Sequence, residues 1–173
     1  MVGIELPPFL LFYLGAVIAL LGGATWRGPA MIVVIILSAL NLWQLPAFYG
    51  LETQLMGMEL KPIHIDRLSL LFGYLFHIAA FISVIYSLHV KDKMQQVAAM
   101  LYAGSALGAV FAGDLLTLFV FWEMLAVTSV FLIWAGRSDK AYSAGMRYLI
   151  AQVISGMLLL VGVILYYQHQ GTL

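Results

Sequence analysis

The sequence predicts an all-α membrane protein of six transmembrane helices, and three observations carry that prediction. Of 173 residues, 64% are hydrophobic and 9% are charged, against roughly 45–50% and about 25% in soluble domains. Six apolar stretches have the length that crossing about 30 Å of hydrocarbon requires, roughly 17–25 residues each. With one exception, the charges fall at or beyond the ends of those stretches. Lys and Arg together number 8, as do Asp and Glu, so the chain offers no basic footprint for nucleic acid and no polybasic segment for a membrane surface. The absence of cysteine excludes disulfides, thiolate zinc sites, iron–sulfur ligation and thiol catalysis. No Gly-rich phosphate loop is present, and no cofactor is expected.

In chain order the spans are expected at 8–24, 29–49, 68–88, 96–112, 115–136 and 148–167. Gly22, Gly23, Gly28 and Pro29 punctuate the first gap, Pro46 and Gly50 close the second span, and Gly136 closes the fifth. The opening MVGIELPP lacks the basic region of a cleaved signal peptide. The longest connection, 50–67, mixes Gly57 and Pro62 with alternating polar and apolar residues and reads as a small hairpin or irregular cap. The gaps after spans one, three and five carry Arg27, Lys91, Lys93, Arg137, Lys140 and Arg147, and the opposite side carries Lys61 and Arg67. Basic residues are retained on the cytoplasmic side, so both termini are expected outside.

The exception among the charges is Glu123, inside LLTLFVFWEMLAVTSVF. An ionisable group at the centre of a membrane helix costs roughly 2.5–3.5 kcal/mol on insertion scales, and such groups mostly mark ion or proton pathways. At 1.5 Å per residue, nine steps from Asp114 place it about 13 Å deep, near the midplane. Its helical neighbours Phe119, Val120, Ala126 and Val127 cannot solvate a charge. Desolvation disfavours an anion, so a carboxyl poised there can load and unload a proton as a cation from another helix comes and goes. The bland alternative is a structural hydrogen bond between helices.

His77, eleven residues beyond Asp66, reaches a similar depth of about 16 Å. It is a candidate proton relay, or else an imidazole satisfied by a nearby hydroxyl or carbonyl. Asp114, Ser105, Gln152 and Ser155 are candidate pathway or entrance residues, the last three also explicable by ordinary helix–helix hydrogen bonding. His64, His89 and His169 fall near surfaces, which disfavours a bis-His haem. Gly104, Gly108 and Ala112 recur at four-residue intervals and are read as a close-packing face. Trp26, Trp43, Trp122, Trp134 and the Tyr166–Tyr167 pair are read as interface or packing aromatics.

The stretch GDLLTLFVFWEMLAVTSVFLIWAGR, from Gly113 to Arg137, resembles the Glu-bearing helix of the antiporter-like subunits shared by Mrp-type sodium/proton antiporters, membrane-bound hydrogenases and respiratory complex I. HIDRLSLLF, from His64 to Phe72, resembles the start of the family's third helix, and AGMRYLIAQVISGMLLLVG followed by GTL resembles its sixth helix and exit. Within the family, the helix-five and helix-six patterns lean toward the D-type subunit of Mrp-like antiporters. The resemblance implies an incomplete antiporter-like subunit. Residues 1–93 would form three leading helices, and 94–173 the first three helices of the first of two inverted repeats, part of a proton channel. Glu123 matches the family's helix-five carboxylate, Asp114 matches only the start of that helix, and His77 matches no family role.

The family's buried lysine on helix seven lies beyond Leu173. The resemblance therefore implies a second chain, supplying helix seven onward and the cation that faces Glu123. Its expected function is a proton-path subunit of a multi-subunit cation/proton antiporter, with other membrane subunits, lipid, protons and Na+ as partners and no covalent chemistry of its own. The alternatives are a proton-pumping module of a redox complex and a structural adaptor without transport.

Overall fold

The computed structural model describes residues 6–45, 49–55 and 58–171, excepting the side chains of Ala24, Leu55 and Met58. Pro46, Gly57 and the terminal Thr172–Leu173 lie outside the described residues, as does the start of MVGIELPP. Six helices and one hairpin follow in order: α1 (Pro8–Leu21), α2 (Ala24–Gln44), β1 (Gly50–Leu55), β2 (Met58–His64), α3 (Arg67–Ser87), α4 (Lys93–Phe111), α5 (Leu115–Trp134) and α6 (Asp139–Gln170). Five of the helices are long and apolar enough to cross a membrane, and α1 is a shorter apolar helix. The chain is a multi-pass membrane protein.

The helix starts are written in short polar residues that hydrogen-bond the free N–H groups of a first turn. Asp66 accepts from the Ser69 amide at 2.7 Å, and the Asp66 amide in turn donates to the Ser69 hydroxyl oxygen, a capping box that opens α3. These bonds from Ser69 hold the Asp66 carboxyl below the usual carboxylate range. Asp92 opens α4 by accepting from the Met94 amide at 3.0 Å, and Ser138 opens α6 by accepting from the Ala141 amide at 3.1 Å. Burial works against the Asp92 anion, yet its hydrogen bonds from Arg137 and from the Gln95 and Met94 amides outweigh that and hold its carboxyl low.

Three expected boundaries are corrected. The first gap shrinks to Gly22 and Gly23, because α2 begins at Ala24 and carries Gly28 and Pro29 inside it. A proline in the second turn forfeits one backbone hydrogen bond, which a 21-residue apolar helix tolerates. Span four begins at Lys93 rather than 96, where Asp92 caps it. Span six begins at Asp139 rather than 148 and runs for 32 residues, since nothing after the Ser138 cap breaks the helix before Gly171.

Helix α4 is the hub, packed on α1, α3 and α5, while α2 lies against α1 and α3 and α6 is joined through α5. The core lies among α1–α4, where Phe12, Met31, Ile35, Leu42, Met100 and Phe111 are sealed from solvent. Gly104 lets α1 approach α4, since a Cβ there would sit 2.9 Å from Phe12 Cβ and 3.3 Å from the Phe9 carbonyl oxygen. Gly108 lies under the Phe121 ring of α5. The expected close-packing face of α4 is therefore in use on two sides.

The 50–64 segment is an antiparallel hairpin with an irregularity between Leu51 and Thr53. Its Ile63 and the following Ile65 plug one end of the bundle. It is tied to α5 by Asp114, whose Oδ2 accepts from the Lys61 amide at 2.8 Å, and by the Gly113 amide donating to the Lys61 carbonyl at 2.9 Å.

Candidate functional site

Glu123 stands nine residues beyond the Asp114 cap of α5, about 13 Å from the hairpin end. Its side chain is half-buried, and Oε1 is shut from solvent with no hydrogen-bond partner among the described residues. The two ion pairs among the described residues, Lys61–Glu52 and Arg137–Asp92, both lie outside the spans. The Glu123 side chain touches two environments. On one side it lies against Gly156 of α6, closely enough that a Cβ there would overlap Oε1. On the other its carbon stem borders a groove of about 440 Å³ between α4 and α5, lined by Met94, Val97, Ala98, Leu101, Val127 and Thr128 among others. Apart from the Thr128 hydroxyl, which is spent on the Met124 carbonyl at 2.7 Å, that lining is apolar.

The α5–α6 seam below Glu123 is more polar. Tyr148 and Ser129 join across it, hydroxyl to hydroxyl, at 2.9 Å, and the Gln152 amide donates to the Tyr148 hydroxyl at 3.3 Å. Tyr148, Gln152 and Gly156 fall at four-residue steps, so they line one face of α6 over about 12 Å. Tyr148 and Ser129 are absent from the sequence-based candidates; only the four-residue spacing, and the antiparallel pairing of α5 with α6, could have brought them forward. Ser155 is exposed on another face of α6.

His77 does not join this group. It is buried on α3, its ring edge-on to Phe12 at 5.5 Å between centroids, and α4 stands between its helix and α5. Nδ1 faces the Gly73 carbonyl at 2.7 Å and Nε2 faces Ser38 Oγ at 2.9 Å, while Ser38 Oγ is also 2.9 Å from the Pro8 carbonyl. Both ring nitrogens are occupied, and the string ends on a carbonyl that cannot carry a proton onward. These contacts fit an imidazole held by a neighbouring hydroxyl and carbonyl. Ser105 is sealed between Tyr13, at 3.1 Å, and the Leu101 carbonyl, at 2.8 Å.

Asp114 is 6% exposed, and each of its acceptor positions is used: Oδ1 by the Thr117 amide at 2.7 Å, and Oδ2 by the Thr117 hydroxyl at 2.7 Å and the Lys61 amide. That geometry caps a helix and anchors the hairpin. Arg27, expected as a loop charge, is buried on α2, with Nε and Nη1 lacking partners among the described residues. The sequence could not show this, because Gly28 and Pro29 disguise the helix around it.

Residues 112–173 match the family model described as "NADH:quinone oxidoreductase/Mrp antiporter, TM". The whole bundle superposes on a chain of the Mrp complex from Dietzia sp. DQ12-45-1b with a TM-score of 0.84 and 25% identity, covering 95% of this chain and 19% of that one. The chain is similar to the antiporter-like membrane subunits of the Mrp and complex I family, most directly over residues 112–173. The A1 subunit of a Staphylococcus aureus Na(+)/H(+) antiporter is 33% identical over 110 residues, 60% of this chain and 14% of that protein. The archaeal membrane-bound sulfane sulfur reductase has the same fold, with a TM-score of 0.83 at 21% identity over 98% of this chain and 28% of its own. The chain thus spans less than a third of each of these relatives. The antiporter-like family resemblance holds, while the staphylococcal relative is named as an A-type subunit where the helix-five and helix-six patterns lean toward the D type.

Proposed function

We propose that this chain forms part of the proton path of a multi-subunit cation/proton antiporter, with Glu123 as the group that takes up and releases protons. One observation carries the reading: a carboxyl at mid-depth in an apolar helix, with a buried oxygen that no described residue hydrogen-bonds, on a side chain whose stem borders a groove. An unpaired buried polar atom costs about 1–3 kcal/mol, more when charged, and a site that only held helices together would not leave it so. A cation supplied by helices outside these 173 residues would stabilise the carboxylate when close and favour its protonated form when distant. Proton release would follow the approach of that cation. The half-channel would sit in a prokaryotic plasma membrane with the hairpin and both termini outside, and with Na+ as the exchanged ion.

The deciding experiment is Glu123→Gln in the complete complex, assayed in inverted vesicles with a pH-sensitive dye. The expected result is an assembled complex without cation-driven proton movement. A fully active Gln variant would refute the reading and favour an adaptor role. A second reading, a proton-pumping module of a redox complex, is supported by the quinone-oxidoreductase half of the matching family's description. Purification from native membranes separates the two, since co-purifying flavin or iron–sulfur subunits belong to the redox reading alone. His77 carries a separate proposal, in which replacement slows transport without abolishing it.

A further inference from the structure

We propose that Gly156 is the positioning residue for Glu123: the side chain it lacks leaves a notch in α6 that seats the carboxyl in the α5–α6 seam, one of two stations the carboxyl visits while it carries a proton. The inference rests on the proton-carrying role of Glu123 proposed above. Gly156 is buried, and a Cβ built on it would overlap Oε1, lie 2.6 Å from Cδ and lie 3.0 Å from Oε2. All three nearest atoms belong to this one carboxyl. The notch therefore accommodates the acid rather than a neighbouring backbone, in contrast to Gly104, which faces backbone and Cβ atoms of α1.

The second station is the α4–α5 groove, which Glu123 also borders. The two surroundings differ in kind. Beneath the notch run Gln152, Tyr148 and Ser129, hydroxyl and amide groups that can pass a proton or hold water. The groove contributes aliphatic, Met and Phe side chains with the already bonded Thr128 hydroxyl. The stem of Glu123 lines the groove while its carboxyl fills the notch, so in this proposal a change of side-chain rotamer carries the carboxyl from one to the other. Filling the notch with a methyl group leaves only the groove station.

The same geometry separates positioning from packing. The displaced atoms are the free end of a flexible side chain, so Gly156→Ala should leave the helices packed while moving the carboxyl by on the order of 1 Å, a misplacement that can cost up to about 10²-fold in rate. In the complete complex, Gly156→Ala is expected to assemble and to lower proton movement about tenfold or more. Gly162→Ala, on the same helix but with open space around its Cβ, should run at the wild-type rate. Glu123→Asp withdraws the carboxyl by one methylene, so Glu123→Asp with Gly156→Ala should be several-fold more active than Gly156→Ala alone.

Wild-type rates in Gly156→Ala, or a double variant that falls to the product of the two single losses, would overturn the proposal. Should Gly156→Ala fail to assemble, the Glu123→Ala background decides. With the carboxyl gone, the added methyl should be tolerated, and a double variant that still fails to assemble overturns the notch. The underlying reading fails separately, through an active Glu123→Gln variant.

Discussion

Replacing Asp114 by Ala separates an anchoring role from an entrance role at the hairpin end. The carboxylate caps α5 through the Thr117 amide and holds the hairpin through the Lys61 amide at 2.8 Å. Losing a helix cap costs about 1 kcal/mol, and losing a hydrogen bond to a charged acceptor about 1.5–3 kcal/mol. Together they amount to about 3 kcal/mol, or about a hundredfold in the local opening equilibrium at 1.4 kcal/mol per tenfold. The Lys61 amide reports that equilibrium directly, because Asp114 is its acceptor. Hydrogen exchange followed by mass spectrometry on the 58–66 peptide should show about hundredfold faster exchange in Asp114→Ala, with peptides from the centre of α4 unchanged. Asp114→Asn, which keeps a neutral cap oxygen, should fall between. Unchanged exchange together with lost transport would refute the anchoring argument and restore the carboxylate as an entrance.

Three further outcomes follow from the packing. Gly104→Leu should drive a side chain into Phe12 and the Phe9 carbonyl, destabilising the α1–α4 contact by about 1–3 kcal/mol and lowering the melting temperature in detergent; an unchanged melt would contradict the close approach. His77→Ala should lower thermal stability and slow transport together, because it removes a packed ring and both of its hydrogen bonds; slowed transport at unchanged stability would instead support a relay. The Asp92 carboxyl is held below its unfolded value of about 3.9. Its stabilising effect on the start of α4 is therefore present above about pH 4 and lost as pH falls through the folded value. Arg137→Gln should move that loss to higher pH, measured by exchange at the α4 N-terminus as a function of pH.

The helix count was legible because apolar length is a property of composition, and no packing choice can hide a 20-residue apolar run. The boundaries were less so. Gly28 and Pro29 are turn residues by habit, and the helix absorbs them because only one backbone bond is lost. The polar opening of α6, DKAYSAGMRY, resembles a loop until Ser138 is recognised as its cap. At the site, Glu123 declared itself through its cost in an apolar stretch. Gly156 could not, since a glycine in a helix gives no sign of which neighbour occupies the space it leaves. Asp114 was legible as a charge at a span end but not as an anchor, because its partner Lys61 is 53 positions away in sequence.

That distant contact also bears on how the protein is made. The Lys61 amide and the Asp114 carboxylate meet only if α3 and α4 have both crossed the bilayer, in opposite directions, so that residues on either side of the pair return to the same face. A nascent chain with either crossing missed or inverted would leave the aspartate and the strand amide on opposite sides of the lipid, both unsatisfied. The clasp of the Asp114 carboxylate and the Gly113 amide on Lys61 thus closes only once both crossings have been made.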